Sequence, residues 1–179
     1  MKKKVMKELL NIGLYLLFVL LLTGLLINFV VQRIDVKGSS METTLSNGDN
    51  LFVDKISYRF RDPERFDIVI FPFQYEEDVY YIKRIIGLPG ETVQIDEGGN
   101  IYIDGEMLAE SYGREVISPN TIGRAAEPIT LGADEYFVMG DNRNNSKDSR
   151  TEIVGNIHRE DIIGRAWVRI WPLDKMNVL

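Results

Sequence analysis

LLNIGLYLLFVLLLTGLLINFVV, residues 9–31, is the stretch that decides how this chain is organised. It contains no charged side chain, and at about 1.5 Å per residue it measures about 34 Å as a helix. That length crosses a hydrocarbon core of about 30 Å with some tilt. A cleavable secretory signal has a shorter apolar region and ends in a small-residue cleavage site, which this stretch lacks. We therefore expect a transmembrane anchor over residues 9–31.

The basic residues near this span are unevenly distributed. The segment before it contains four lysines, Lys2, Lys3, Lys4 and Lys7. Arg33 and Lys37 follow it. Because basic flanks stay in the cytoplasm, we expect residues 1–8 inside the cell and residues 32–179 outside. The sequence thus predicts a single-pass protein of the cytoplasmic membrane, with membrane lipid as one partner.

The rest of the 179-residue chain is acidic and has no cysteine. Residues 38–179 hold fifteen Lys and Arg against twenty-five Asp and Glu. Nucleic-acid binding needs a basic face, so we expect no nucleic-acid partner. The absence of cysteine excludes disulfides, thiol catalysis and thiolate metal sites. His158, the only histidine, lies in a polar turn-like stretch and is not expected to serve a Ser-His-Asp triad. We expect a monomer that needs no cofactor.

Short β-rich segments separated by turn signals dominate residues 32–179. The predicted strands are Leu51–Ile56, Asp67–Phe71, Val79–Ile86, Thr92–Ile95, Asn100–Ile103, Glu135–Met139 and Arg165–Ile170. Many short strands with regular turns are typical of an antiparallel β-sandwich or distorted barrel. Residues 104–134 are predicted to form a small insert, because residues 110–132 are rich in Gly, Pro, Ser and Arg and lack periodicity. The expected fold is mostly β, behind an N-terminal transmembrane helix.

Two residues could form a catalytic pair beyond the span. Ser40 follows the apolar stretch by fewer than ten residues, although a lone serine in a loop is usually solvated or caps a turn. Lys83 lies in the apolar run YYIKRIIG, where it would ordinarily extend its amine to water. If the amine is instead buried, desolvation lowers its pKa and lets it accept a proton near neutral pH. A serine and an uncharged lysine make a hydrolase without histidine or metal.

A third segment could support this pair. Gly140–Arg150, GDNRNNSKDSR, is a run of eleven residues without an apolar side chain after a predicted strand. Composition alone favours a solvated loop. The loop could also orient a catalytic amine, held together by an Asp–Arg pair formed by Asp148 or Asp141 with Arg150 or Arg143.

The three segments together resemble those of the type I signal peptidases, membrane-anchored Ser/Lys endopeptidases. The likeness runs in order from the anchor to Pro172. The three segments are Ser40-Met41-x-x-Thr44-Leu45, Tyr81–Gly90 and Gly140–Arg150, and Arg65–Val69 resembles a weaker fourth. The short chain with its single anchor resembles the members from Gram-positive-type bacteria. The resemblance implies an enzyme that cleaves signal peptides from exported preproteins at the outer face of the cytoplasmic membrane.

The resemblance also assigns roles to residues. Ser40 would be the nucleophile, with its backbone N–H stabilising the oxyanion, and Lys83 would be the general base. Met41 would help shape the site. Behind the Lys83 amine, an ion-pair scaffold would be formed by Asp148 and Arg150, with Asp141 nearby. Ser146, from the same loop, would hydrogen-bond the amine and orient it.

Three positions depart from the family pattern. Thr43 stands where proline is usual, Gly38 stands where some relatives have a serine as second oxyanion donor, and Phe66 stands where glycine is typical. The first two leave open a catalytically inactive, membrane-tethered relative that binds signal peptides. A self-cleaving repressor-type Ser/Lys protease is a further alternative, which the membrane anchor opposes.

Overall fold

The structure, a computed structural model, describes residues 2–29 and 31–179, with side chains for residues 4–24 and 31–179. Met1 and Val30, which belong to the predicted segments 1–8 and 9–31, lie outside the described residues. One long helix is followed by short strands and single-turn 3₁₀-helices.

The helix α1 spans Lys2–Phe29. Within it, Lys4–Gly24 is long and apolar enough to cross a membrane, judged by length and composition. None of this stretch is buried against the rest of the chain. Large side chains such as Phe18 and Leu20 are therefore exposed on all sides of the helix. A helix that is apolar all round is typical of a membrane span. The first strand already begins at Val31, the last residue of the predicted span.

Twelve strands lie in the described part of the chain after α1. They are β1 (Val31–Asp35), β2 (Asn50–Asp54), β3 (Ile68–Pro72), β4 (Tyr80–Gly87), β5 (Thr92–Ile95), β6 (Ile101–Ile103), β7 (Glu106–Met107), β8 (Ile129–Thr130), β9 (Glu135–Met139), β10 (Ile157–His158), β11 (Gly164–Trp171) and β12 (Asn177–Val178). The 3₁₀-helices are Ser57–Arg59, Pro119–Thr121, Gly123–Ala126, Arg159–Asp161 and Leu173–Lys175. All seven predicted strands are confirmed within one or two residues at each end.

The strands form two sheets with antiparallel pairing throughout. The larger has the order β1-β2-β11-β3-β4-β9-β10, with β12 added to β11, and the smaller has the order β7-β6-β5-β8. The mostly β, antiparallel architecture predicted from the sequence is confirmed. Residues 104–134, the predicted insert, contribute β7 and β8 to the smaller sheet, which also contains β5 and β6.

The strand β4 positions the site. β3 pairs with it along Tyr80–Arg84, with Val69 opposite Lys83, whereas β9 pairs only with the half from Arg84 to Gly87. Among the described residues, no strand pairs with the other edge of Tyr80–Lys83. At the far end of the same sheet, β1 also has a strand partner on only one side. The edges of β1 and of Tyr80–Lys83 are thus two strand edges of the larger sheet that have no strand partner among the described residues.

Candidate active site

Ser40 and Lys83 are brought together by the fold. Ser40 lies in the turn that follows β1, and Lys83 lies in the middle of β4. The Lys83 Nζ hydrogen-bonds to the Ser40 Oγ at 2.8 Å and donates a second hydrogen bond of 2.9 Å to the Ile82 carbonyl oxygen. A hydroxyl within this distance of an amine has the geometry of a nucleophile and its base.

The Lys83 amine is buried. The residue is 4% exposed, and its Nζ lies 5.0 Å from the centre of the Tyr81 ring. Burial lowers the pKa of the amine from its ordinary value to about 8, although the carboxylates of Asp148 and Asp141 act in the opposite direction. The interpretation in which Lys83 extends to water is wrong, because Lys83 is paired to β3 through Val69 and its amine turns inward to Ser40 and the Ile82 carbonyl oxygen.

Met41 anchors the turn that carries Ser40. Its side chain is 2% exposed and packs in a buried cluster with Val36, Leu45 and Ile82. The Leu45 N–H also donates to the Met41 carbonyl oxygen at 2.8 Å. The apolar side chains on both sides of Ser40 therefore fix the turn in the core, while the serine itself stays half-buried at the surface of a cleft.

Asp148 and Arg150 form one of the Asp–Arg pairs that the sequence left open. Arg150 Nε and Nη2 donate to the two carboxylate oxygens of Asp148 at 2.8 and 2.9 Å, and both side chains are buried. The Gly140 N–H donates to the same carboxylate at 3.0 Å. Arg150 Nη2 also donates to the Arg143 carbonyl oxygen at 2.6 Å. This bidentate pair closes the loop Gly140–Arg150 on itself.

Asp141 pairs with a residue that the sequence did not suggest. Its carboxylate accepts two hydrogen bonds from Arg84, at 2.9 and 2.7 Å, and one from the Thr44 hydroxyl at 2.6 Å. Arg143, offered as its alternative partner, pairs with Glu110 at 2.7 Å. The available signal was the position of Arg84 in an apolar run next to Lys83, because a buried arginine requires a carboxylate.

Ser146 does not form the hydrogen bond expected of it in this structure. Its Oγ is buried and has no hydrogen-bond partner among the described residues. The side chain lies against Gly140, which also faces the Ser40 carbonyl oxygen. Ser146 is thus close to the nucleophile turn, but Lys83 Nζ bonds to Ser40 and the Ile82 carbonyl instead.

A cleft of about 520 Å³ opens beside Ser40 and Lys83. One wall is the end of β1 with the residues after it, and the other is the start of β4 with the residues before it. The lining residues are Arg33–Gly38, Ser40, Met41, Asp78–Lys83 and Lys147. The walls include the two free strand edges, so the cleft can hold an extended chain next to the Ser40 hydroxyl. His158 lies elsewhere, exposed in β10 with its Nδ1 3.2 Å from the Asp134 carboxylate.

Comparisons with known proteins place this geometry in a family. The family model described as "Signal peptidase, peptidase S26" matches residues 9–171. "Probable signal peptidase I-2" of Synechocystis sp. is 43% identical over 84% of this chain and 68% of its own length. "Signal peptidase I" of Leptolyngbya laminosa is 42% identical over 84% of this chain and 74% of its own. "Signal peptidase I T" of Bacillus subtilis is 36% identical over 98% of this chain and 92% of its own length. The resemblance to the signal peptidases is thereby confirmed, and this chain belongs to the signal peptidase family, peptidase S26.

Proposed function

We propose that this protein is a serine endopeptidase that removes signal peptides from exported preproteins, with Ser40 as nucleophile and Lys83 as general base. The observation that carries the proposal is the 2.8 Å contact between the Ser40 hydroxyl and a buried amine whose pKa lies near 8. The names of the relatives, signal peptidase I, support the choice of substrate. No cofactor takes part in the reaction.

The chemistry follows from the pair. The uncharged Lys83 amine takes the Ser40 proton as Oγ attacks the scissile carbonyl carbon. The backbone N–H of Ser40 stabilises the oxyanion, a contribution of about 2.7–4 kcal/mol per donor in comparable hydrolases. The lysine then gives its proton to the leaving amine, which leaves an acyl-enzyme. Lys83, neutral again, activates the water that hydrolyses the acyl group.

The supporting residues hold this pair in place. Asp148 and Arg150 close the loop behind the amine, and Asp141 ties that loop to β4 through Arg84. The Met41 side chain, packed in the core, holds the turn that carries Ser40. Ser146 receives a hydrogen bond from the Lys83 amine in this proposal; in support, its buried hydroxyl has no hydrogen-bond partner among the described residues.

The preprotein binds in the cleft as an added strand. Main-chain hydrogen bonds to the free edges of β1 and of Tyr80–Lys83 hold its cleavage region extended. Small residues at the first and third positions before the scissile bond then fill shallow pockets. The walls of the cleft carry both charge signs: the basic residues are Arg33, Lys37 and Lys147, and the acidic residues are Asp35 and Asp78.

The exposed apolar helix anchors the enzyme in lipid. We propose that residues 9–31 span the cytoplasmic membrane, with residues 1–8 in the cytoplasm and the catalytic domain, residues 32–179, outside. The lysines before the span support this orientation. Side chains such as Phe18 and Leu20 are exposed in the described chain, and insertion of the helix into lipid would remove them from water. The protein acts as a monomer and has no nucleic-acid partner.

A preprotein cleavage assay tests the proposal. The full chain in detergent is incubated with a preprotein, and the products are identified by mass. We expect a single cut that releases the signal peptide, and no cut with Ser40→Ala. Intact preprotein after incubation with the unaltered chain would instead favour the inactive, peptide-binding relative.

Cleavage is expected to rise with pH. Because burial lowers the pKa of Lys83 to about 8, the neutral base predominates above that pH. Below pH 8 the neutral fraction falls about tenfold per unit, so kcat/KM should fall with it and level off above about pH 9. The measurement is initial rate against pH at low substrate concentration. A flat profile between pH 6 and 9 would show that Lys83 is not the base.

Gly140→Ala is expected to lower kcat about tenfold or more. An added Cβ at this position meets the Ser40 carbonyl oxygen and the Ser146 side chain, and the backbone atom cannot move aside without moving the nucleophile. A displacement of about 1 Å can cost about a hundredfold in rate. Gly98→Ala is the control, because its Cβ meets only the side chains of Asp96 and Asn100 in a distant turn. Equal rates for the two variants would contradict the role given to Gly140.

A further inference from the structure

A short segment of the insert reaches the active site from outside the cleft. Glu110–Arg114, here called the strap, follows β7. At one end Glu110 pairs with Arg143 at 2.7 Å. At the other end the Arg114 N–H donates to the Asp141 carbonyl oxygen at 2.8 Å, and the Arg114 guanidinium lies 3.2 Å from the Glu42 carboxylate. The strap therefore contacts both the loop Gly140–Arg150 and the turn of the nucleophile.

The middle of the strap covers a buried cation. The centre of the Tyr112 ring lies 3.8 Å from the Arg84 guanidinium carbon. The Arg84 side chain is 5% exposed, whereas Tyr112 is 37% exposed. A half-exposed ring stacked on a buried guanidinium shields it from water, and the ring face attracts the positive charge. Water exclusion in turn strengthens the ion pair that this guanidinium makes with Asp141.

That ion pair connects three parts of the site. Arg84 donates to both oxygens of Asp141, to the Phe66 carbonyl oxygen at 2.9 Å and to the Thr44 hydroxyl at 3.3 Å. Thr44 belongs to the turn that carries Ser40. Asp141 follows Gly140, which faces the Ser40 carbonyl oxygen. The orientation of this one guanidinium therefore sets the position of the nucleophile turn relative to β4.

Phe66 also contacts the tyrosine. Its ring centre lies 5.0 Å from that of Tyr112, and its backbone has a φ of 74°. A residue with a side chain is uncommon in this left-handed region, where glycine is favoured. The ring that occupies this position packs against Tyr112, so a second aromatic side chain keeps Tyr112 over Arg84.

We infer that Tyr112 is a positioning residue for the proposed peptidase reaction: it holds Arg84 against Asp141 and Thr44, and through them holds Ser40 in reach of Lys83. The inference rests on the proposed function and gives the insert a role in it. Among the described residues, neither Tyr112 nor Arg84 lines the cleft. Substrate binding should therefore not depend on Tyr112, and the effect should fall on kcat.

The test compares steady-state cleavage of a preprotein by the full chain and three variants in detergent. Tyr112→Leu removes the ring, Tyr112→Phe keeps it, and Tyr102→Leu removes a ring of the smaller sheet whose hydroxyl bonds Asp96. We expect kcat to fall about tenfold in Tyr112→Leu with KM unchanged. Tyr112→Phe and Tyr102→Leu should retain the kcat of the unaltered chain. Tyr112→Met replaces the leucine variant if that variant does not fold.

The outcomes separate this inference from the function it rests on. Unchanged kcat in Tyr112→Leu, an equal loss in Tyr112→Phe or Tyr102→Leu, or a change in KM alone overturns the role of Tyr112 and leaves the peptidase intact. No cleavage by the unaltered chain refutes the proposed function, and the inference with it.

Discussion

Lys83→Met is expected to lower kcat for preprotein cleavage by about 10⁴-fold or more. The methionine matches the unbranched lysine side chain as far as Cε but lacks the Nζ atom, which lies 2.8 Å from the Ser40 Oγ. Without a base, the hydroxyl at neutral pH is a weak nucleophile, and removing one member of a nucleophile–base pair costs about as much as removing both. Single-turnover cleavage with excess enzyme measures the residual rate.

Two further variants make this test specific. Lys83→Arg keeps the positive charge, but a guanidinium does not lose its proton in proteins, so we expect it to be as inactive as Lys83→Met. Lys175→Met removes an exposed lysine from the 3₁₀-helix after β11 and should leave the rate unchanged. A Lys83→Arg enzyme with more than about a hundredth of the normal rate would show that charge, and not proton transfer, is what Lys83 supplies.

Asp148→Ala is expected to reduce the free energy of unfolding by about 3–5 kcal/mol. The variant leaves Arg150 buried without its carboxylate, and an uncompensated buried charge destabilises a protein by about that amount. It also removes the acceptor of the Gly140 N–H. Urea unfolding of the full chain in detergent, followed by the fluorescence of Trp167 and Trp171 on β11, measures the change.

The exposed pair Arg61–Glu64 provides the matched control. These side chains lie 3.3 Å apart, but that of Glu64 is 73% exposed. Glu64→Ala should therefore change the free energy of unfolding by at most about 1 kcal/mol. If Asp148→Ala were no more destabilising than Glu64→Ala, the buried pair would not be what holds the loop Gly140–Arg150 closed.

The longer strands could be predicted because the signals for them lie close together in the sequence. Strands such as β4 and β9 are mostly apolar runs bounded by turn residues, and the structure confirms them. The two-residue strands β7, β8, β10 and β12 carry no periodic pattern, since they exist only through their partners in the sheet. β1 escaped prediction because its first residue, Val31, continues the apolar run of the helix, and apolar content alone does not separate helix from strand there.

Some residues of the site could likewise be predicted from the sequence, and others could not. Ser40 and Lys83 could be chosen from their surroundings in the sequence, although only tertiary structure brings them within 2.8 Å. The signal for Arg84, its position in the same apolar run, is weaker, because a strand that alternates its faces suggests that one of two adjacent cations is exposed, whereas both are buried here. The contact of Tyr112 with Arg84 joins an aperiodic segment to a strand, which no local pattern indicates.

The protonation of Lys83 itself is the most direct measurement of the central claim. The chain has nine lysines, and carbon-13 labelling at their ε-carbons lets NMR follow each amine as the pH is raised. The signal absent from Lys83→Met identifies the residue. We expect that signal to titrate near pH 8, well below the value of about 10.4 for a lysine free in water. Titration of the Lys83 signal near pH 10.4 would contradict an uncharged amine beside Ser40.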